Sequence, residues 1–309
     1  MSIGITPINN FDDLNGLKTH NMRSNELNRK IDQAIKLIRI AARQAKSLNQ
    51  KLEISYSGGK DSDVILELAR MAKVDYVAKY RNTTIDPKGT ILHCKENGVE
   101  ILRPNKNFLQ CVAQSGYPTK YRRHCCGYLK EYKVNDVVII GIRQYESKKR
   151  MERYKEPTEC RYYDRHHTKK EMAVQAYYPI LYWTNENVQE FITKKHIKCH
   201  PLYYDNEGHF QVKKRLGCVG CPIAYNKVRI QEFKSHPNYV KLWIRGGKKY
   251  IENHINKKEN SVWKYFNGDV YSWFTMQLFC SNMKEFHDKF DDKNCKKYLE
   301  DFFNIQFKD

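Results

Sequence analysis

The sequence predicts an α/β protein: a parallel, twisted sheet with helices on both faces, followed by a basic helical C-terminal lobe. Three features carry this. Strand-like and helix-like segments alternate from Leu52 onward. The run Asp136 to Ile142 is aliphatic and β-branched, as in a strand buried on both faces. A Gly-Gly turn joins the first strand to the helix after it.

The elements follow in order. Between Ser24 and Asn49, Leu27, Ile31, Ala34, Ile35, Ile38, Ala41, Ala42, Ala45 and Leu48 recur at three- and four-residue steps, the period of an amphipathic helix. Its outer face carries Arg29, Lys36, Arg39, Arg43 and Lys46, read first as a solvated face and second as a nucleic-acid contact. Leu52-Glu53-Ile54-Ser55-Tyr56 alternates as a strand, and Val64 to Ala72 has helical spacing. Tyr76 to Tyr80 reads as a second strand, Pro87 to Glu96 as a helix with proline in its first turn and Gly98 past its end, and Val99 to Leu102 as a third strand. Phe108 to Gln114 is a further helix, stopped by Gly116. Arg143 to Lys170 holds ten Lys/Arg against five Asp/Glu with no clear period, which suits a mobile basic loop. Pro179 to Trp183 resumes as an apolar strand, and Thr184 is placed to cap a helix over Val188 to His196. From about Ile230 to Asp309 the chain is aromatic-rich and basic, with Trp243, Trp263 and Trp273, and reads as helical.

At 309 residues the chain has room for about two domains of roughly 150 residues each. Lys plus Arg number 55 and Asp plus Glu 35, a net charge of +20, so the natural partner is a polyanion: nucleic acid, nucleotide phosphates or an anionic surface. The longest aliphatic run, Val137 to Ile140, is far short of a membrane span, and Met1 to Asn10 has neither a basic nor an apolar signal region, so a cytoplasmic location without a membrane partner is expected. Ten cysteines in a chain this long fall below the density of a secreted scaffold, so clustered cysteines point to metal or redox chemistry.

Ser57-Gly58-Gly59-Lys60-Asp61-Ser62 lies between the first strand and its helix, where a parallel α/β fold places its ligand. Two glycines allow positive φ and close approach of an anion, the helix N-terminus offers N–H donors, and Lys60 adds a compact charge. The bland alternative is a tight turn capped by Asp61 or Ser62. The spacing is not that of the Walker loop. Arg143, Ser147 and Arg150 follow the end of the doubly buried strand and can converge on phosphate oxygens, arginine by its forked donors. Thr84 and Asp86 end the second strand, where Asp86 serves equally well as a cap for the helix opening at Pro87.

Cys218-Val219-Gly220-Cys221-Pro222 is a C-x-x-C in which Gly217 and Gly220 permit a tight turn. Cys125-Cys126 is the second pair. Adjacent side chains on a helix diverge by about a hundred degrees, so they reach one compact ion poorly but reach separate irons of a larger cluster. Iron–sulfur is favoured over zinc, with unliganded thiols as the third alternative. Lys120, Arg122, Arg123, Lys130 and Lys133 surround Cys125-Cys126 against one acid, Glu131, either to lower thiol pKa or to grip phosphates. Cys160 is an outside candidate for a working thiol. His196 and His200 have i, i+4 spacing, but the helix is expected to end between them and no third ligand is evident. A surface or core role is expected for both these and His166-His167.

These residues resemble the phosphoadenosine phosphosulfate reductase family of the adenine-nucleotide α-hydrolase-like superfamily, whose glycine loop is called the PP-loop. The likeness spans about Leu52 to Pro222. It rests on the glycine loop, on Thr83-Thr84-Ile85-Asp86, on Gly141-Ile142-Arg143-Gln144-Tyr145-Glu146-Ser147 with Arg150, and on the two cysteine pairs. The resemblance implies ATP or adenylylated sulfate, with Mg2+, on Ser57, Gly58, Gly59, Lys60, Asp61 and Ser62, assisted by Thr84, Asp86, Arg143, Ser147 and Arg150. Lys60, Asp61 and Arg143 would be catalytic. It also implies a 4Fe–4S cluster on Cys125, Cys126, Cys218 and Cys221, as in the iron–sulfur members, which include the sulfurtransferase of DNA phosphorothioation. The domains expected are a helical arm over 1–50, a PP-loop domain with the cysteines over 51–229, and a helical lobe over 230–309.

Three functions follow. The first is adenylation of an acceptor by ATP with sulfur then displacing AMP. Nucleic acid as that acceptor would explain the charge, and a partner protein or sulfur donor would be needed. The second is sulfonucleotide reduction with release of sulfite, which needs a C-terminal nucleophile of the Glu-Cys-Gly-x-x-His kind where this chain has Phe279-Cys280-Ser281 and Asn294-Cys295-Lys296. The third is a non-catalytic basic nucleic-acid-binding module with a structural metal. Neither a Ser-His-Asp order nor a deaminase signature is present.

Overall fold

β1 (Leu52–Tyr56) is the strand around which the sheet is organised. It pairs in parallel with β2 (Tyr76–Arg81) on one side and β4 (Val137–Ile140) on the other; β3 (Glu100–Leu102) extends the sheet beyond β2, and β6 (Met172–Tyr177) lies beyond β4. β5 (Thr158–Tyr163) closes that edge antiparallel to β6, giving the order β3-β2-β1-β4-β6-β5. The computed structural model describes residues 11–163, 172–255 and 261–307. Among them, no helix is long and apolar enough to cross a membrane.

The faces follow from alternation. Ile54 and Ile139 are fully buried on one side of the sheet, under α1 (Phe11–Ser47) and α2 (Lys60–Ala72), while Val138 is fully buried with Val174 and Ala176 in a separate cluster. Leu27, Ile31, Ala34, Ile38, Ala41 and Ala45 form the buried stripe of α1, and Arg29, Lys36, Arg39, Arg43 and Lys46 are exposed. A second core gathers Phe108, Val112, Tyr117 and Leu129 from α4 (Phe108–Ser115), α5 (His124–Leu129) and the loop between them. It joins them to Phe233 of α8 (Asn226–Ser235), Trp243 of α9 (Pro237–Asn253), Trp273 of α11 (Val270–Phe279) and Leu299 of α13 (Cys295–Phe303). The helical lobe therefore shares one core with the segments that precede and follow the cysteines.

Three elements differ from expectation. The basic stretch after Arg143 is ordered: Ser147 caps α6 (Lys148–Arg153) by accepting from the Arg150 amide, and Thr158–Tyr163 pairs residue for residue with β6. Glu159 and Arg161 of that run sit on an edge strand, where charges discourage pairing with another chain, and so the run hid a strand of ordinary register. Residues 164–171, which include His166-His167, lie outside the described residues. Pro179–Trp183 is a turn, its Ile180 and Leu181 buried; the strand lies before it, over Met172–Tyr177. The helix expected from Pro87, α3 (Thr90–Glu96), begins at Thr90, because Gly89 at φ +95° takes a left-handed conformation just before it.

Glu53 on β1 is fully buried. Its carboxylate accepts from Arg81 Nη1 at 2.8 Å and from the Asn135 amide at 2.9 Å. Arg81 also donates to the Tyr132 and Lys133 carbonyls, tying β2 to the loop after α5. Removing Arg81 leaves the buried Glu53 carboxylate with only the longer contact to Lys79 Nζ at 3.5 Å and the Asn135 amide. Arg81→Met is expected to cost about 3 kcal/mol in urea unfolding, with Glu53→Leu/Arg81→Met recovering most of it.

Candidate active site

The glycine loop is shaped by backbone. β1 ends at Tyr56, Gly58 turns the chain at φ +77°, and Gly59 opens α2 with no side-chain cap, leaving the helix's first amides to face an incoming anion. A Cβ on Gly58 would lie 2.9 Å from Thr90 Cγ2, so both space and φ demand glycine there. Ser62 Oγ donates to the Gly59 carbonyl at 2.6 Å and lies 3.4 Å from Ser57 Oγ, closing the hairpin of the loop.

Above the loop is a cavity of about 220 Å³, lined by Ser57, Gly59, Lys60 and Ser62 and walled by Arg150 and Arg215. Lys60 is buried, its ammonium 3.1 Å from Asp61 Oδ2 and 5.4 Å from the centre of the Tyr203 ring. Burial lowers its pKa, and the Asp61 carboxylate partly restores it. The other Asp61 oxygen accepts from Arg143 Nε at 2.7 Å, and Arg143, itself buried, also donates to the Trp183 carbonyl and Asn185 Oδ1. Arg150 has its pKa lowered by burial and by nearby Arg215, and it pairs with Glu146. The basin thus concentrates cations that repel one another until an anion enters.

The predicted residues fall into two groups. Ser57, Gly59, Lys60, Asp61, Ser62 and Arg150 line the cavity, with Gly58 forming its turn. Arg143 reaches it only through Asp61, and Ser147 uses its hydroxyl to cap α6. Thr84, at φ +63°, accepts from the Phe108 amide at 2.9 Å and so starts α4. Asp86 caps no helix: it accepts from the Thr83 amide and Tyr80 hydroxyl, and its Oδ1 lies 3.6 Å from Cys218 Sγ.

That last contact leads to the cysteines. Cys125 and Cys126 lie in the first turn of α5 and share a hydrogen bond; this bond, with nearby Lys130 and Arg123, lowers the Cys126 pKa, while the same bond and burial raise that of Cys125. Cys125 and Cys218 pack against the same hydrophobic core, and Cys218 and Cys221 contribute to raising the Cys125 pKa. Cys218 Sγ lies 3.5 Å from Thr83 Oγ1; burial pushes its pKa up to about 11, with Lys130 opposing. The Cys218–Cys221 turn is held at both sides. The Gly220 amide donates to Glu232 Oε2 at 2.8 Å, the Gly220 carbonyl accepts from Arg229 Nε at 3.1 Å, and the Val219 amide donates to the Ile85 carbonyl at 2.8 Å. Among the described residues, no group of three or more His, Cys, Asp or Glu converges tightly enough for a single metal ion. An all-thiol set divided between a helix turn and a loop packed on the same core suits a cluster that takes one thiolate on each of several irons better than a single ion.

Residues 51–224 match the phosphoadenosine phosphosulfate reductase domain family. The chain belongs to this family. A curated relative, an uncharacterized protein of Methanocaldococcus jannaschii, is 28% identical over 225 residues, covering 68% of this chain and 51% of its own; the chain thus spans about half the length of that relative. Among solved structures, an FMN adenylyltransferase of Candida glabrata has 16% identity and a TM-score of 0.40 over 58% of each chain. A phosphoadenylyl-sulfate reductase of Candida auris, in a phosphate complex, has 15% identity and a TM-score of 0.40, covering 61% of this chain and 93% of its own. The U34-tRNA thiolase NcsA of Methanococcus maripaludis, with its 4Fe–4S cluster, has 15% identity and a TM-score of 0.37, covering 76% and 82%.

Within this phosphoadenosine phosphosulfate reductase domain, sequence reasoning missed Arg215, Tyr203 and the buttressing role of Gly141. Arg215 is the last of the basic triplet Lys213-Lys214-Arg215, two residues before Gly217, a charge run that was legible as a signal. Tyr203 accepts from the Leu216 amide at 3.2 Å and so fixes the wall. His196 and His200 both lie beyond α7 (Asn185–Lys194), which ends before either, not between them. His200 is buried against Thr90 and caps the next turn. Cys160 is exposed on the edge strand β5. Gly141 leaves no room: a Cβ there would meet the Asp61 carbonyl oxygen at 2.9 Å. Gly141→Ala is expected to cost about 1–3 kcal/mol of stability by displacing the loop, read as a lowered midpoint in urea.

Proposed function

We propose that this chain is an enzyme that binds ATP on the phosphate loop, adenylates an acceptor and transfers sulfur to it, with a 4Fe–4S cluster on Cys125, Cys126, Cys218 and Cys221. The observation that carries the reading is the continuity of the two sites: Arg215 and Leu216 wall the anion cavity, and two residues later Cys218 lies against Thr83 and Asp86 at the end of β2. A nucleotide on the loop would therefore present its reacting end towards the thiols.

In this reading the loop amides, Ser57, Ser62 and Lys60 hold the β- and γ-phosphates, and Arg150 and Arg215 neutralise charge as pyrophosphate leaves. An acceptor oxygen attacks the α-phosphorus, pyrophosphate departs, and a sulfide equivalent then displaces AMP from the adenylated carbon. Asp61 holds Lys60 and Arg143 in register, and Mg2+ would accompany the phosphates. The cluster would supply an electron-rich centre beside the reaction. Lys130 and Arg123 favour the thiolate of Cys126, and Lys130 opposes the rise that burial imposes on Cys218. The charge of +20 favours a polyanionic acceptor, nucleic acid.

Sulfonucleotide reduction is the less favoured reading. Cys280 and Cys295, which stand in the C-terminal region where a nucleophile would be sought, are buried in an aromatic cluster with Phe286 and Phe290.

ATP incubated with the protein and candidate acceptors is expected to release pyrophosphate, whereas sulfite released from adenylylated sulfate instead would replace this reading with reduction. Lys60→Ala is expected to weaken ATP binding at least tenfold by calorimetry, the loss of one charge-assisted contact, with iron content unchanged. Protein purified without oxygen is expected to contain iron and acid-labile sulfide, and Cys218→Ser to lose both. Full iron in Cys218→Ser would remove that cysteine from the ligand set.

A further inference from the structure

We propose that the cysteine end of the site is a docking surface for single-stranded nucleic acid, with Tyr121 and Tyr225 as stacking platforms for unpaired bases. This rests on the sulfur-transfer reading above, and names the form in which its acceptor is presented. Tyr121 is 92% exposed and Tyr225 86%, the two most exposed large apolar side chains among the described residues. Each stands four residues from a cysteine pair, Tyr121 before Cys125 and Tyr225 after Cys221. Cys125 and Cys218 pack against the same hydrophobic core, so the two tyrosines flank segments held by one unit.

Neither ring is outward because its backbone is loose. The turn carrying Tyr121 is closed by Thr119, whose amide donates to the Arg122 carbonyl and whose Oγ1 accepts from the Arg122 amide, both at 3.0 Å. Tyr225 is the N-cap residue of α8, its carbonyl accepting from the Val228 and Arg229 amides. Aromatic faces held in water by ordered backbone are what base stacking requires, since a splayed base offers a flat apolar face where a paired base offers only its edge.

Charge selects the same partner. Lys120, Arg122 and Arg123 are exposed on the first limb and Lys227 on the second, and Lys120 lies over the Tyr121 ring at 6.0 Å. Beside Tyr121 opens a cavity of about 430 Å³, roomy enough for a nucleotide, walled by Arg122, Arg123, His124 and Tyr128 and reaching Cys126. Cations track the phosphates, tyrosines hold the bases, and the pocket leads one base to the thiols.

The test is fluorescence anisotropy of the intact chain with a labelled oligouridylate, the matching oligothymidylate and a duplex of equal length, across a salt series. Single strands are expected to bind more tightly than duplex. Tyr121→Ala and Tyr225→Ala should each weaken single-strand binding about tenfold, while Tyr121→Phe and Tyr225→Phe, which keep the ring, should not. Arg122→Ala should flatten the salt dependence. The tighter of the two single strands identifies RNA or DNA as the source. Equal affinity for duplex, or tyrosine variants that bind as the parent does, as on a surface made for a protein partner, overturns the proposal. Both rings are exposed, so the variants should melt with the parent. Tyrosine-dependent binding without pyrophosphate release from ATP would keep this surface and remove the sulfur-transfer reading; pyrophosphate release without oligonucleotide binding would do the reverse.

Discussion

One carboxylate ties the glycine loop to the rest of the sheet. Asp61 bridges Lys60 and Arg143, two buried cations on different elements, at 3.1 and 2.7 Å. Two positive charges sharing one negative leave a net cationic site, so the pair is satisfied enough to fold and still favours an anion. Arg143 completes its donors with the Trp183 carbonyl and Asn185 Oδ1, which fastens the loop to the start of α7. Gly141 lets β4 approach the Asp61 backbone closely enough for this bridge to form. The loop is thereby held by the topological switch between β1 and β4, where a parallel sheet leaves a crevice at the carboxyl ends of its strands.

The C-x-x-C segment is anchored at the end of the neighbouring strand, β2. Thr83, Ile85 and Asp86 follow β2 directly, and each touches the Cys218 segment: Thr83 and Asp86 through Cys218 Sγ, Ile85 through the Val219 amide. Asp86 raises the electrostatic cost of a thiolate at Cys218 while Lys130 lowers it. A group carrying positive charge among the thiols would relieve the contest between them.

How much of this was legible follows from the range of each signal. The glycine loop, the stripe of α1 and the Thr184 cap are local patterns, and each stands where the sequence places it. Asp86 was ambiguous between cap and ligand because its decisive partner, Cys218, is 132 residues away. Arg143 read as a phosphate clamp because arginine after a buried strand so often is one; its burial, created by Trp183 and Asn185 some forty residues on, turned its donors inward. β5 was lost in a charge run because an edge strand tolerates the charges that a central strand excludes. Pro179–Trp183 misled in the opposite sense: Ile180, Leu181 and Trp183 are buried, but as part of a turn.

The helical lobe gains its meaning from Gly220. That residue sits at φ +76°, and a Cβ on it would lie 2.2 Å from Phe233 Cζ, so the C-x-x-C turn is pressed against the ring of α8. Glu232 and Arg229, from the same helix, take the Gly220 amide and carbonyl, and Arg229 is bound in turn to the Gln277 carbonyl at the end of α11. Phe233 is fully buried among Trp243, Phe274 and Phe303. The spacing of Cys218 and Cys221 is therefore set by the packing of the lobe as well as by the turn itself. Since Tyr117 and Leu129, on either side of Cys125-Cys126, are buried in that same core, one hydrophobic unit positions both cysteine pairs. A basic, aromatic C-terminal region that reads in sequence as an appendage acts in the fold as the frame of the sulfur site.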